Sequence, residues 1–355
     1  MFKKLESISK KAADFPEAMR MVKQNHICPK LFFEKDIYTE ILDKLDLKCQ
    51  YPQASKTLGI IDYHTGFTPF SYFLETELNP KHHVLFPESV AASKFWKHMI
   101  SKDPNCKGMI MDDDQANRVL KHSFLNKVLE KGELEPKEET DLSKVNQSAL
   151  ITGNFVDSSG GDSLRILLFF NQMKTSIFQF NNVKLLSWMP SSDALKFIGP
   201  LGSRHRRSNA LMTNLFCNVN VIAYSNFDNK KSVDGILGKY KKAVKLPQIS
   251  GQKDVCLMEF QSSYDKYKIQ FPDELHLVIH KLLISPSNKI IDNLHTLGPG
   301  AEEYLETKID PEVLQKTAPN ITEQEFIDIS EAYYYWPFKP NTQLETYLGD
   351  PPQDE

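Results

Sequence analysis

Seven short apolar runs, at residues 58–61, 83–86, 109–111, 149–152, 183–189, 219–224 and 255–260, punctuate the first three quarters of the chain. Longer stretches with apolar residues at helical spacing lie between them, as over 88–100, 116–130 and 163–178. Runs this short suit buried strands better than helices. Their alternation with helices predicts an α/β domain with a mainly parallel sheet covered on both faces. After Phe260 the strand signal stops. From Pro272 onward the pattern is helical, punctuated by Pro286, the Gly298-Pro299-Gly300 turn, Pro311 and Pro319, so a domain boundary is expected within 262–272.

Composition excludes several classes. With 355 residues, 41% apolar and 25% charged, the chain is neither disordered throughout nor collagenous nor a coiled-coil rod. No apolar run reaches the length of a membrane span, so no membrane partner is expected. Five cysteines, Cys28, Cys49, Cys106, Cys217 and Cys256, form no CxxC pair, and the histidines show no metal-ligand spacing, so no metal site is expected. His82-His83 reads as a polar lead-in to a strand. The formal net charge of −3 does not suggest a basic nucleic-acid binder, yet the charge is segregated. Residues 132–141 carry Glu133, Glu135, Glu138, Glu139 and Asp141 and read as a solvated surface loop.

At the N-terminus, Lys3, Lys4, Lys10, Lys11, Arg20 and Lys23 outnumber Glu6, Asp14 and Glu17, with Phe2, Leu5 and Ile8 at helical spacing. A mitochondrial targeting segment and a solvated helix both fit this pattern.

In a doubly wound sheet the ligand sits beyond the carboxyl ends of the strands, and the first strand-to-helix turn approaches it most closely. Here that turn reads Asp62-Tyr63-His64-Thr65-Gly66-Phe67-Thr68. An adenosylmethionine turn of the E/D-x-G-x-G-x-G type wants glycine at 64, 66 and 68, and only Gly66 is present. Cofactor binding should be weakened or lost. The fourth strand ends Gly153-Asn154-Phe155-Val156-Asp157. Asn154 supplies the acceptor that adenine-modifying enzymes aim at an exocyclic amine, without the Pro and Tyr that complete their motif. Further on, Arg204, His205, Arg206 and Arg207 sit on a Gly/Pro-punctuated loop, with Lys239, Lys241 and Lys242 downstream. They form a positive patch suited to phosphate contacts.

Residues 41–47 (Ile-Leu-Asp-Lys-Leu-Asp-Leu), the Leu186-Ser187-Trp188-Met189-Pro190-Ser191 run with Gly202-Ser203-Arg204, Leu257-Met258-Glu259, and Trp336-Pro337-Phe338-Lys339-Pro340 occur in the order found in one family. On these motifs the chain resembles the rRNA adenine N6,N6-dimethyltransferase superfamily, and within it the mitochondrial transcription initiation factors. The Trp-Met-Pro-Ser and Trp-Pro-Phe-Lys-Pro pieces are the most specific. The resemblance implies a Rossmann-like, seven-stranded methyltransferase sheet followed by a small all-helical C-terminal domain. The segments are then 1–29 as an N-terminal extension, 30–265 as the sheet domain, 266–340 as the helical domain and 341–355 as an acidic flexible tail.

The resemblance also assigns positions. Phe32 falls at a cofactor-contacting apolar site, Asp62 at the acidic end of the first strand, Glu88 (or Pro87) at the ribose ligand after the second strand, Asp114 beside the adenine, and Asn154 at the target base. With glycines missing and the aromatic motif broken, these would be vestigial. No catalytic residue and no required cofactor are then expected, and S-adenosylmethionine binding is doubtful. The implied partners are the single-subunit mitochondrial RNA polymerase and promoter DNA, above all its melted non-template strand, in the mitochondrial matrix. The alternative is a mitochondrial rRNA adenine dimethyltransferase.

Overall fold

A computed structural model describes residues 35–66, 68–112, 128–130, 132, 134–156, 160–226, 243–248 and 254–340. Phe32, Asp114, Lys239, Lys241 and Lys242 lie outside the described residues, as do the N-terminal extension and the tail. The chain divides into two compact units, Met1–Ala194 with Cys217–Tyr264, and Leu195–Phe216 with Asp265–Glu355.

The first unit holds the sheet. Helix α1 (Lys35–Leu45) precedes β1 (Gly59–Thr65), α2 (Pro69–Leu78), β2 (His82–Pro87), α3 (Val90–Lys102), β3 (Met109–Met111), β4 (Ala149–Asn154), α4 (Gly160–Gln172) and β5 (Lys184–Pro190). Helix α5 (Ser191–Ile198) and α6 (Ser208–Phe216) come next, then β6 (Cys217–Tyr224), β7 (Val244–Lys245) and β8 (Val255–Ser262). Strand order is β3-β2-β1-β4-β5-β8-β6-β7. The first five strands are parallel, and β8 runs antiparallel between β5 and β6. The expected seven strands are present, and the two-residue β7 adds an eighth at the edge.

Local chemistry sets the turns. Thr68 caps α2 by accepting from Phe70 N, with Pro69 in the first turn where its missing N–H costs nothing. Asn79 closes that helix in the left-handed conformation. Ser89 caps α3 through Ala92 N. The core beneath includes Ile60, Phe70, Leu85, Trp96, Leu150 and Trp188. One buried ion pair sits inside this sheet: Lys184 on β5 binds Glu259 on β8, and Asn220 on β6 donates to the other oxygen of that carboxylate at 2.9 Å. A carboxylate in this setting is tolerated only when its neighbours satisfy it. Glu259 is thereby tied to both strands that flank β8.

In the second unit, α7 (Pro272–Leu282) packs on α8 (Glu323–Tyr334). The N-terminus of α8 carries a full capping box between Thr322 and Glu325. Trp336 is buried against Gly298 and Gly300. At Gly298, with φ 149°, an added Cβ would lie 3.0–3.2 Å from Pro340 and Trp336, so the turn needs glycine for both conformation and space. Residues 195–216, expected within the sheet domain, belong to this helical unit.

Candidate functional site

The carboxyl end of β1 is where the fold would hold a ligand. Asp62 is buried there, 2% exposed, and its carboxylate faces inward: Oδ2 lies 3.5 Å from His83 Nε2. His83 Nδ1 lies 3.0 Å from Glu75 Oε2 on α2. The imidazole is thus held between two carboxylates in the interior. Burial drives the His83 pKa down, but hydrogen bonding and charge from Asp62 and Glu75 outweigh it and leave the pKa raised. His83, read from sequence as a polar lead-in, is instead a wholly buried member of β2.

The rest of the turn is equally self-contained. His64 occupies one of the expected glycine positions at φ 51°, the left-handed region that carries a strain cost for a bulky side chain. Its ring stacks on Tyr63 at 4.4 Å and lies 6.2 Å from Phe155, which is 5.9 Å from Tyr63. Burial pushes the Tyr63 phenol up to about 12, against a hydrogen bond with Ser163 that lowers it. Thr65 Oγ1 donates to Asp62 O at 2.6 Å, and Trp96 Nε1 donates to Gly66 O at 2.8 Å. Glu88 stands just beyond β2, where its backbone N–H donates to Thr65 O at 3.3 Å.

At the end of β4, Asn154 is buried and its Oδ1 accepts from Val156 N at 3.3 Å. The acceptor expected to face a base is engaged by its own backbone two residues on. Phe155 N donates to Trp188 O at 2.7 Å, and the Phe155 ring comes within 2.5 Å of where a Cβ on Gly153 would stand. Asp62 lies within β1, Gly66 and Glu88 follow β1 and β2 directly, and Asn154 closes β4. Asp62 and Asn154 are engaged within the protein.

The arginine loop belongs to the helical unit. Gly199 permits its tight closure, since a Cβ there would lie 2.7 Å from His205 O and 2.9 Å from Arg206 Cα. Gly202, at φ 79°, donates from its N–H to Pro319 O at 2.8 Å. The loop corrects one expectation. Arg206 is 1% exposed, with Nη1 3.0 Å from Glu323 Oε1 and Nη2 donating to Ile321 O at 2.9 Å. It anchors the loop to the start of α8 and is not available to phosphate. Arg204 and Arg207 remain exposed, and Arg204 Nε lies 3.2 Å from His205 Nε2. Partial burial, then the charges of Arg204 and Arg207, lower the His205 pKa.

Sequence reasoning missed a second surface of the same unit. Tyr334 stacks on Phe271 with ring centroids 3.5 Å apart, and Tyr335 stands edge-on to both. Lys339 Nζ lies 4.1 Å from the Tyr334 ring centroid and 2.6 Å from Glu274 Oε1. The available signal was the unbroken aromatic run 333–336.

A family model described as "Ribosomal RNA adenine dimethylase" matches residues 30–333. Mitochondrial transcription factor 1 of Saccharomyces cerevisiae is 24% identical over 326 residues, covering 89% of this chain and 91% of the relative. The protein of the same name from Lachancea kluyveri is 22% identical over 321 residues, with the same coverage. Among solved structures, a dimethyladenosine transferase from Plasmodium falciparum aligns with a TM-score of 0.50 at 12% identity, covering 83% of this chain and 94% of that one. At that identity the likeness shows the fold alone. Among the described residues no helix is long and apolar enough to cross a membrane.

Proposed function

The chain belongs to the ribosomal RNA adenine dimethylase family, and from that premise we propose that it is a mitochondrial transcription initiation factor that partners the single-subunit mitochondrial RNA polymerase in the matrix. The observation that carries this reading is the similarity to mitochondrial transcription factor 1 over nine-tenths of both chains, 89% and 91%. A second observation supports it. The described part of the β1 turn supports loss of the family's methyl donor: Asp62 faces His83, Gly66 O accepts from Trp96, and His64 brings a ring to a position where the motif has glycine. The protein is accordingly read as a non-enzyme that needs no cofactor.

In this reading a fold that once extruded a base from a duplex supplies a rim for the backbone and surfaces for unpaired bases. Capturing single-stranded DNA shifts the balance between closed and open promoter by the difference in binding energy between the two states. Stacking contributes about 1–3 kcal/mol per base, so a few captured bases offset local unpairing. Of the basic residues expected to hold phosphate beside the melted segment, Arg204 and Arg207 are described and exposed.

Run-off transcription by the cognate mitochondrial polymerase on a linear promoter tests the proposal. Full-length transcript should depend on this protein, and an equal yield from polymerase alone refutes it. Calorimetric titration with S-adenosylmethionine should give no saturable heat. A saturable isotherm would favour the dimethyltransferase alternative.

A further inference from the structure

Apolar exposure is unevenly spread over the described residues. Six large apolar side chains are exposed, and three of them, Tyr334, Tyr335 and Phe338 at 38%, 63% and 82%, fall within five residues at the end of α8. Such a concentration marks an interaction surface rather than the ordinary scatter of single exposed residues. Exposed tyrosine and phenylalanine are the side chains that most often anchor protein interfaces.

The charge around them selects the partner. Between Asp265 and Pro340 there are thirteen carboxylates, seven lysines and no arginine. Asp273 and Glu274 open α7 immediately after Phe271. The helix Ala301–Leu305, whose Tyr304 hydroxyl donates to Tyr335 O at 3.2 Å, carries exposed Glu302 and Glu303. Phosphate would be repelled by such a surround. A cationic side chain would not be, and the molecule already contains an example: Lys339 sits on the face of Tyr334 while paired with Glu274. Cation–π contact combined with a carboxylate is a ready socket for Lys or Arg. The tail after Pro340 adds Glu345, Asp350, Asp354 and Glu355, the same sign as the patch, and so is not its complement.

We propose that the aromatic patch of Phe271, Tyr334, Tyr335 and Phe338 is a docking face for a protein surface that presents Arg or Lys among apolar side chains. Resting on the function proposed above, that surface belongs to the polymerase. Tyr335 and Phe338 are the anchors, and the neighbouring carboxylates steer the approach.

The test uses the full chain with Tyr335→Ala and Phe338→Ala together. Both side chains are largely exposed, so an unchanged thermal midpoint confirms that folding is intact. Anisotropy of the labelled chain should show the dissociation constant for the cognate polymerase rising about 30-fold or more, the loss expected from removing interface anchors. Glu302→Lys with Glu303→Lys should cost about 3- to 10-fold, mainly in association rate, with the deficit shrinking as salt rises. Wild-type binding that the aromatic variant matches within about 3-fold overturns the docking face and leaves the proposed function standing. Failure of the wild type itself to bind polymerase overturns both. Loss of promoter-DNA crosslinking at unchanged polymerase affinity would assign the patch to nucleic acid and overturn the proposal. So would a wild-type dimer in sedimentation that the variant dissolves, because the occupant would then be a second copy.

Discussion

The β1 turn and helix α8 treat their polar groups in opposite ways. At the turn, Asp62 faces His83, Thr65 donates to Asp62 O, and Gly66 O receives the Trp96 N–H. These groups look inward. Around α8 the interior takes only what it needs. Arg206 is drawn in by Glu323 and Ile321 O at the start of the helix, while Arg204 and Arg207 stay outside. The far end, twelve residues on and about 18 Å along the axis, displays Tyr334, Tyr335 and Phe338. Of the residues just named, those exposed are Arg204 and Arg207 and the aromatic rings, all on the helical unit.

The largest effect should come from Arg206, the arginine drawn inward at the start of α8. Arg206→Ala removes a buried guanidinium bonded to both a carboxylate and a carbonyl. Breaking such a pair costs about 3–5 kcal/mol. Calorimetry should show the variant unfolding well below the wild type. Arg206→Lys should fall between, because one ammonium cannot reproduce the two-nitrogen fork. A variant with the wild-type midpoint would mean that Arg206 is no anchor and could return to the phosphate-binding set.

The difference between these regions was only partly legible in the sequence. Each apolar run became a strand, because period and length report burial directly. The antiparallel insertion of β8 between β5 and β6 was not legible. It rests on partners far apart in sequence, such as Glu259 with Lys184 and Asn220. His83 was read as a polar lead-in because nothing local reveals that Asp62 and Glu75 converge on its ring. Arg206 is indistinguishable in sequence from Arg204 and Arg207. Its inward turn follows from the tight loop that Gly199 and Gly202 allow and from the waiting Glu323. The aromatic run at 333–336 was visible, but a buried and an exposed tyrosine look alike until Tyr333 turns into the core and Tyr335 does not.

A pH series sharpens the description of the β1 side. The His83 pKa is raised above 6.5 by Asp62 and Glu75 despite burial. For a group whose pKa is higher in the folded state, the stabilisation is complete below the unfolded value and is lost as pH rises through the folded one. Denaturation midpoints of the wild type should therefore decline as pH rises above about 6.5. His83→Gln should start lower and lack that component of the decline. Parallel curves for the two proteins would show that His83 is not the titrating centre beneath the turn.

The smallest effect concerns the arginines that stayed outside. Exposed charges contribute little to stability, so Arg204→Ala with Arg207→Ala should leave the unfolding midpoint within about 0.5 kcal/mol of wild type. Their expected role is to hold phosphate, which carries no sequence information. The double variant should weaken initiation on duplex promoters of any sequence and should do so less on a pre-melted bubble, where unpairing is already done. Its dependence of log affinity on log salt should be shallower by about one unit for each phosphate that is no longer neutralised. The comparison with Arg206 is then direct: adjacent arginines of one loop, one felt in the melting curve and two felt in the salt slope. An unchanged salt slope with normal duplex initiation would remove Arg204 and Arg207 from the DNA-facing surface.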